Sequence, residues 1–188
     1  MKWNEHTIAR AIALQTLARK CVVLVDNCNW TGHECDVLAV TSDFRIIDVE
    51  IKISRADLKA DAKKDKWWHR SYGAWIPERR TQDITTTPRT HPRKVWKHYY
   101  ALPQEIWKPD LLECLPSPAS GVILMRETPS STMPVVATVV RRATPNRDAD
   151  KLTPAQVLDV ARLANLRMWE AYKRRDDVRG EVLGRAAA

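Results

Sequence analysis

The sequence has no apolar run near the roughly 20 residues that a membrane-spanning helix requires. It also has no internal repeat and no glycine/serine-rich linker, so we expect a single domain over residues 1–188. The amphipathic N-terminal stretch lacks the continuous apolar core of a signal peptide and is interpreted as part of the fold. The four cysteines form no disulfide framework, which favours a reducing, cytoplasmic setting. We therefore expect no membrane partner.

What the chain does contain is hydrophobic residues and positive charge. It is 44% hydrophobic, which is typical of a globular protein with a core. Its formal net charge is +8, which favours a polyanionic partner, most often nucleic acid. Eight tryptophans are many for this length, and several stand beside basic residues.

Apolar periodicity and capping residues predict the order helix, three strands, helix, further strands and a final helix. Asn4 and Ser54 are predicted to cap the first two helices, and Thr153 with Gln156 forms a capping box for a C-terminal helix at about 153–175. This order indicates an α/β or α+β fold in which helices cover a sheet. The predicted strands are "CVVLV", "DVLAVT", "RIIDVEIKI", "HYYAL", "GVILMR" and "PVVATVV".

A basic insertion is predicted at about 69–97, where no periodicity holds and prolines interrupt the segment. A loop of this length inside a compact domain is usually functional or mobile. Basic side chains meet phosphates and aromatic rings stack on unpaired bases, so we expect DNA contact without strong sequence specificity. The residues expected to take part are Arg79, Arg80, Arg93 and Lys94, with Tyr72 and Trp75 among them.

The stretch "RIIDVEIKIS" carries charges at alternate positions of an apolar strand. Since side chains alternate across a strand, two sets of residues take opposite faces. The face predicted to be buried holds Ile47, Val49, Ile51 and Ile53. The face predicted to line a cleft holds Asp48, Glu50 and Lys52. Hairpin pairing brings Asp36, at the start of the preceding strand, alongside.

Two carboxylates and a lysine in this arrangement predict phosphate chemistry. A carboxylate from each strand offers the hard oxygen ligands that Mg²⁺ prefers. Such a metal polarises a phosphate, while the lysine orients water or stabilises developing charge. The alternative is the ordinary polar face of an antiparallel sheet, on which a Glu–Lys neighbour pair is common.

The aspartate, followed after thirteen residues by Glu-Ile-Lys on the next strand, resembles the PD-(D/E)XK nuclease superfamily. That resemblance implies a restriction-endonuclease-like α-β-β-β-α-β core with a mixed sheet. The implied ligands of Mg²⁺ or Mn²⁺ are Asp36, Glu50 and the Ile51 carbonyl. Lys52 is the implied catalytic lysine, and Glu5, the acid of the first helix, is implied to complete the catalytic set. The alternative for Glu5 is an acid that only favours the helix dipole.

A narrower resemblance is to the MmcB-like DNA-repair proteins of the same superfamily. It rests on "VEIKISRADLKADAKKDKWW", on "YYALPQEI" and on "LLECLPSPASGVILM", and spans about 34–125 with a weaker C-terminal helix. Cys35 stands where the proline of the superfamily's name would be. The resemblance implies a role in DNA repair, recombination or phage DNA processing.

The predicted second helix carries a basic ridge and a neighbouring acidic row. The ridge consists of Arg55, Lys59, Lys63 and Lys66, and the row of Asp57, Asp61 and Asp65. The ridge is a candidate DNA contact, and the alternative is a solvated surface tied together by i,i+4 pairs. Asp61 and Lys63 also fit the MmcB-like stretch.

Three potential zinc ligands, Cys28, His33 and Cys35, lie close together in the sequence. Their spacing fits no common zinc-site pattern, and a fourth ligand is missing. We therefore predict that they are ordinary residues.

The function predicted from the sequence is a Mg²⁺-dependent deoxyribonuclease, nucleoid-associated or phage-encoded in a bacterial host. The alternative is a non-cleaving nuclease-fold module that binds DNA or a protein partner. The Asp-Glu-Lys set favours the enzyme, because without metal these acids repel a phosphate backbone. Three questions stay open at this point: which DNA structure is preferred, whether the nucleic acid is DNA or RNA, and whether the protein forms a homo-oligomer.

Overall fold

The computed structural model describes residues 3–76 and 81–186, and the side chains of 76, 81 and 179–186 are not among the described parts. Arg79 and Arg80, two of the predicted DNA contacts, lie outside the described residues. The helices are α1 (Glu5–Ile12), continued by a π-helical turn (Ala13–Leu17), α2 (Arg55–Ala60) and α3 (Pro154–Ala186). The strands are β1 (Cys21–Cys28), β2 (Cys35–Thr41), β3 (Ile46–Ile51), β4 (Trp68–Ile76), β5 (Thr81–Pro88), β6 (Val95–Pro103), β7 (Gly121–Glu127) and β8 (Val135–Arg141).

Six strands form one mixed sheet in the order β1-β2-β3-β6-β7-β8. The first three strands are antiparallel neighbours, β6 runs parallel to β3 and to β7, and β8 is antiparallel to β7. A sheet of this kind, covered by helices, confirms the predicted α/β class at that level. The parallel pairs place β3 and β6 in the middle of the sheet, where strands are covered on both faces.

The predicted helix starts are confirmed by their caps. The Asn4 side chain accepts a hydrogen bond from the amide of Thr7, at 2.8 Å. Ser54 accepts from the Asp57 amide in the same way. Thr153 and Gln156 exchange two reciprocal bonds in the predicted capping box. Each cap satisfies an amide that the helix itself leaves without an acceptor.

Three apolar clusters cover the sheet. On one face, α1 packs Ile8 and Ile12 against β2 and β3. On the opposite face, Val160 of α3 packs against residues of β1, β2 and β3. A third cluster joins Leu58 of α2 and Trp67 to β6 and β7. The third cluster therefore covers part of β6 and β7.

The predicted alternation of β3 is wrong in one respect. All six of its residues are buried, including those of the charged face. Ile53, expected on the buried face, lies beyond the end of the strand and is 44% exposed. A central strand with a parallel neighbour buries both faces, so alternation no longer separates core from solvent.

The segment predicted as a loop contains a two-stranded sheet instead. β4 and β5 pair antiparallel, apart from the main sheet. Most of their described side chains are exposed, including Tyr72 and Trp75. Because neither face of this hairpin is covered, the segment shows no apolar alternation in the sequence.

The helix after Ser54 is shorter than predicted, and the C-terminal helix is longer. α2 ends at Ala60 and gives way to two 3₁₀ turns, Asp61–Lys63 and Asp65–Trp67. α3 has 33 residues, about 50 Å at the rise of an α-helix. Among the described residues, no helix is both long enough and apolar enough to cross a membrane.

The fold makes a testable prediction at Gly121, the first residue of β7. A Cβ atom added there would lie 2.7 Å from the backbone nitrogen of Ala143 and 2.4 Å from the Tyr99 ring. The ring can turn but the backbone cannot, so Gly121→Ala should lower the free energy of unfolding by about 1–3 kcal/mol. Urea denaturation measures this, with Arg126→Ala at an exposed position of the same strand as the control. Equal stability of both variants would contradict the packing described.

Candidate functional site: an acidic and arginine-lined cavity beside a buried ion cluster

A cavity of about 480 Å³ opens where α1 and the neighbouring ends of β1, β2 and β3 meet α3. Glu5 stands in the first turn of α1, and Asp36 is the second residue of β2. The charged residues that line the cavity are Glu5, Asp26, Asp36, Arg167 and Arg174. Carboxylates and guanidinium groups therefore line the same space.

Asp36 is the most strongly perturbed carboxyl group of this cavity. Burial and the negative charge of Glu50 raise its pKa to about 6, and Glu5 adds to the same effect. The Ile51 amide, which donates a hydrogen bond to Asp36 Oδ2 at 2.6 Å, and the charge of Lys52 oppose the rise. Burial is the largest cause of the rise, because it disfavours the charged form of the carboxyl group, and the neighbouring acids add to it.

Glu50 lies in a buried ion cluster, which consists of Glu50, Asp61, Lys52, Lys64 and Lys66. Lys52 Nζ is 3.2 Å from Glu50 Oε1, and Lys66 Nζ is 2.7 Å from Oε2. Lys64 also donates to Glu50 Oε1. The Lys64 side chain is 49% exposed, whereas those of Lys52 and Lys66 are nearly inaccessible. Both oxygens of Glu50 are therefore engaged by ammonium groups.

Asp61 is the second acid of the cluster. Its Oδ2 accepts hydrogen bonds from Tyr100 Oη at 2.5 Å and Trp67 Nε1 at 3.0 Å. Its Oδ1 lies 3.1 Å from both Lys52 and Lys64. Burial acts to raise the pKa of Asp61, but Lys66, the Tyr100 hydroxyl and Lys52 together hold it well below its usual range. Asp61 is therefore ionised and fixes the turns after α2 over the sheet.

The charged face of β3 does not line a cleft, contrary to the sequence prediction. Asp48, Glu50 and Lys52 are at most 2% exposed. The two 3₁₀ turns and the rings of His98, Tyr100 and Trp67 cover them. Their charges are tolerated there because opposite charges and hydrogen bonds meet them within the protein.

The predicted ligand set is only partly brought together. Asp36 and Glu5 share the cavity, and Ile51 lines it, but the Ile51 group that meets Asp36 is its amide. The carboxylates that open onto the cavity have the hard oxygen atoms that fit Mg²⁺ or Mn²⁺. Glu50 does not fit in this conformation, because lysine ammonium groups already engage both of its oxygens.

The predicted basic ridge does not form, because α2 ends before Lys63. Lys66 is buried in the ion cluster. Arg55, Lys59 and Lys63 are exposed, and Arg55 donates a hydrogen bond to the Ile106 carbonyl at 2.6 Å. These side chains remain accessible without sharing one helical face.

Arg93 and Lys94 form a separate exposed basic surface. Arg93 lines a second cavity with His33, Arg89 and Trp68. The Lys94 ammonium lies over the ring of Trp30, 4.4 Å from its centroid. Both residues stand apart from the acidic cavity.

Sequence reasoning missed the two arginines of the cavity. Arg167 and Arg174 lie on the same face of α3, two helical turns apart, and far along the chain from β2. Arg167 donates a hydrogen bond to the Asn27 carbonyl at 3.2 Å and pairs with Glu170. The sequence carries no local signal for this contact, since it depends on where a long helix packs.

Comparison with known proteins identifies no family. No family model matches the chain, and no curated protein does. Among solved structures, the chain is similar to SPO1766, a protein of unknown function from Silicibacter pomeroyi. The two share 20% identity over 96% of this chain and 97% of the other, with a TM-score of 0.54. At this identity the similarity supports the fold alone.

The raised pKa of Asp36 predicts how stability depends on pH. Between about pH 4 and 6, folded Asp36 holds a proton that the unfolded chain has released, so the free energy of unfolding falls as pH rises. Asp36→Asn should remove this fall, a relative gain of about 1–3 kcal/mol at neutral pH. Urea denaturation in EDTA at both ends of the window measures it, with the exposed Asp159→Asn as control. A wild-type slope that Asp36→Asn leaves unchanged would refute the assignment.

The ion cluster predicts unequal costs for two neighbouring acids. Asp61→Asn leaves buried lysines without a counter-charge and should lower the free energy of unfolding by about 3–5 kcal/mol. Asp57→Asn removes only a half-exposed partner of Lys52, at 3.6 Å, and should cost less than about 1 kcal/mol. Denaturant titration of both variants tests the difference. Similar losses would mean that the cluster does not stabilise the fold.

Proposed function

We propose that this protein is a metal-dependent nuclease that hydrolyses phosphodiester bonds in DNA. The observation that carries the proposal is the cavity in which Glu5, Asp26 and Asp36 face Arg167 and Arg174. Metal-dependent phosphodiester hydrolysis needs a cation site and a phosphate site next to each other, and carboxylates and guanidinium groups provide those two functions.

The carboxylates of Asp36 and Glu5 would hold the metal, with Asp26 on the same wall. Mg²⁺ or Mn²⁺ bound there supplies polarisation of the phosphate and a lower pKa for a bound water. Asp36 is suited to this role because burial, Glu50 and Glu5 all disfavour its charge, and a bound cation would stabilise that charge.

The arginines would bind and orient the DNA backbone. A guanidinium group presents a planar fork of donors that matches phosphate oxygens. Arg167 is already held in place by the Asn27 carbonyl and Glu170. A positioned guanidinium group also stabilises the charge that develops on the phosphate during attack.

Glu50 and Lys52 take the roles that the PD-(D/E)XK resemblance implies only after a local change in the ion cluster. Lys64 and Lys66 must both move away from Glu50, because Lys66 engages Oε2 while Lys64 and Lys52 engage Oε1. Of the two, the half-exposed Lys64 moves into solvent at the lower cost. Lys52 then remains beside Glu50, where its charge already acts on Asp36.

The order of elements supports the same proposal. A helix, three antiparallel strands and a helix follow each other as α1, β1, β2, β3 and α2, and after the β4–β5 hairpin comes β6, parallel to β3. This agrees with the α-β-β-β-α-β core that the resemblance implies. Asp36 stands near the start of β2, and Glu50 and Lys52 lie at the end of β3.

Contact with DNA outside the cavity would come from exposed basic and aromatic side chains. Tyr72 and Trp75 on the β4–β5 hairpin are 61% and 57% exposed. Exposed rings of this kind stack on unpaired bases, and basic side chains follow the backbone. The proposed binding is therefore without strong sequence specificity.

A second candidate function is a non-cleaving module that binds DNA or a protein partner. The observation that favours it is the engagement of both Glu50 oxygens by Lys52, Lys64 and Lys66. If this cluster is permanent, Glu50 cannot bind metal and the acidic cavity lacks a member of the predicted ligand set.

A cleavage assay distinguishes the nuclease from the non-cleaving module. It uses labelled single-stranded, duplex and branched DNA with Mg²⁺ or Mn²⁺ present. We expect metal-dependent cleavage that falls at least about 10²-fold in Asp36→Asn and in Lys52→Ala. Arg174→Ala should raise KM for DNA more than Asp159→Ala, a control at an exposed acid of the same helix. Thermal melting of each variant separates loss of activity from loss of fold.

Two results would reject the nuclease proposal. Metal-independent cleavage that is equal in wild type and variants would point to a contaminant. DNA binding without cleavage of any substrate would favour the non-cleaving module.

A further inference from the structure

We infer that His33, Cys35, Asp48 and His98 form a binding site for a zinc-like divalent transition metal. The site is distinct from the acidic cavity and does not depend on the proposed nuclease activity. Cys35 begins β2, Asp48 lies in β3 and His98 in β6, which are three successive strands of the sheet. Asp48 stands directly opposite His98 in the parallel pairing.

The donor atoms of these residues form two groups that share Asp48. One ligand atom from each of His33, Cys35 and Asp48 lies within 4.8 Å of the others. Asp48 forms a second such group with His98 and Glu50. The Asp48 carboxylate therefore lies between His98 and the pair formed by His33 and Cys35.

Two of these ligand atoms lack partners. Within the residues that the structure describes, Asp48 Oδ1 and His98 Nε2 are buried and have no hydrogen bond. Asp48 is 0% and His98 1% exposed. A buried polar atom without a partner is costly and rare in folded proteins. A metal held by His98 Nε2 and by both oxygens of the Asp48 carboxylate would satisfy both atoms at once.

The spacing suits a tetrahedral ion. Zinc lies about 2.0–2.2 Å from nitrogen and oxygen ligands, which sets neighbouring ligands of a tetrahedron about 3.3 Å apart. His33 Nε2 is 3.2 Å from Asp48 Oδ2, and His98 Nε2 is 3.9 Å from the same oxygen. The first distance matches this spacing, and His98 Nε2 would have to move closer to join the same ion.

Both histidines have the outer partners that metal-bound imidazoles require. His98 Nδ1 is 3.0 Å from Ser120 Oγ, and His33 Nδ1 is 3.2 Å from Thr31 Oγ1. Such contacts orient the ring and direct its other nitrogen at the metal. Lys66 is the nearby cation, and its ammonium is already paired with Glu50 at 2.7 Å.

The ligand chemistry selects zinc over Mg²⁺. A thiolate and imidazoles suit zinc and its neighbours, whereas Mg²⁺ takes oxygen ligands. Four protein ligands close the coordination shell, as in structural zinc sites. The metal would therefore fix the turn before β2 onto the centre of the sheet and stabilise the fold.

The test begins with chelator-treated protein, to which Zn²⁺ or Co²⁺ is added. We expect one equivalent of metal, a higher Tm with Zn²⁺, and visible Co²⁺ bands with a thiolate charge-transfer band. Cys35→Ser should abolish the charge-transfer band, and His98→Gln and His33→Gln should each weaken binding at least about tenfold. Cys28→Ser is the matched control, since Cys28 is a buried free cysteine and stands opposite Cys35 in the register of β1 and β2.

The variants also separate this site from the acidic cavity. Asp36→Asn should retain its zinc equivalent whether or not the protein cleaves DNA. Circular dichroism establishes that each variant is folded, and the half-buried His33 variant keeps the test valid if Cys35→Ser is unstable. Less than one equivalent bound by wild type, or an equal Co²⁺ spectrum in folded His33→Gln and Cys28→Ser, would overturn the inference.

Discussion

The ion cluster around Glu50 and Asp61 is the constraint on which the rest of the structure depends. Two carboxylates meet the ammonium groups of Lys52, Lys64 and Lys66 under the turns that follow α2. Removing any one buried partner leaves an unpaired charge at low dielectric, so the members must be kept together. The cluster therefore holds the 3₁₀ turns over the sheet and keeps Glu50 and Asp61 away from solvent.

The acids left outside the cluster define the cavity. Asp36 accepts a hydrogen bond from the Ile51 amide, and its carboxylate lines the cavity together with Glu5. α3 closes the same space with Arg167. The molecule thus has two distinct groups of side chains: carboxylates and arginines in the cavity, and the thiol, imidazoles and carboxylate of the proposed zinc site beside the cluster.

Much of the fold was predictable because its signals are local. The caps at Asn4 and Ser54 and the adjacency of Asp36 to the charged strand follow from short-range pattern and hairpin pairing. Alternation shows which residues share a face, but not whether another element covers that face. The burial of Glu50 therefore escaped prediction.

Other features escaped because they depend on contacts between distant parts of the chain. Arg167 reaches the cavity only through the packing of α3 on β1. His98 meets Asp48 only because β6 returns parallel to β3.

The most direct measurement of the proposed metal site is anomalous diffraction from crystals soaked in Mn²⁺. The account predicts a peak about 2–2.5 Å from the Asp36 carboxylate; a fully soaked crystal with no peak beside Asp36 would contradict it.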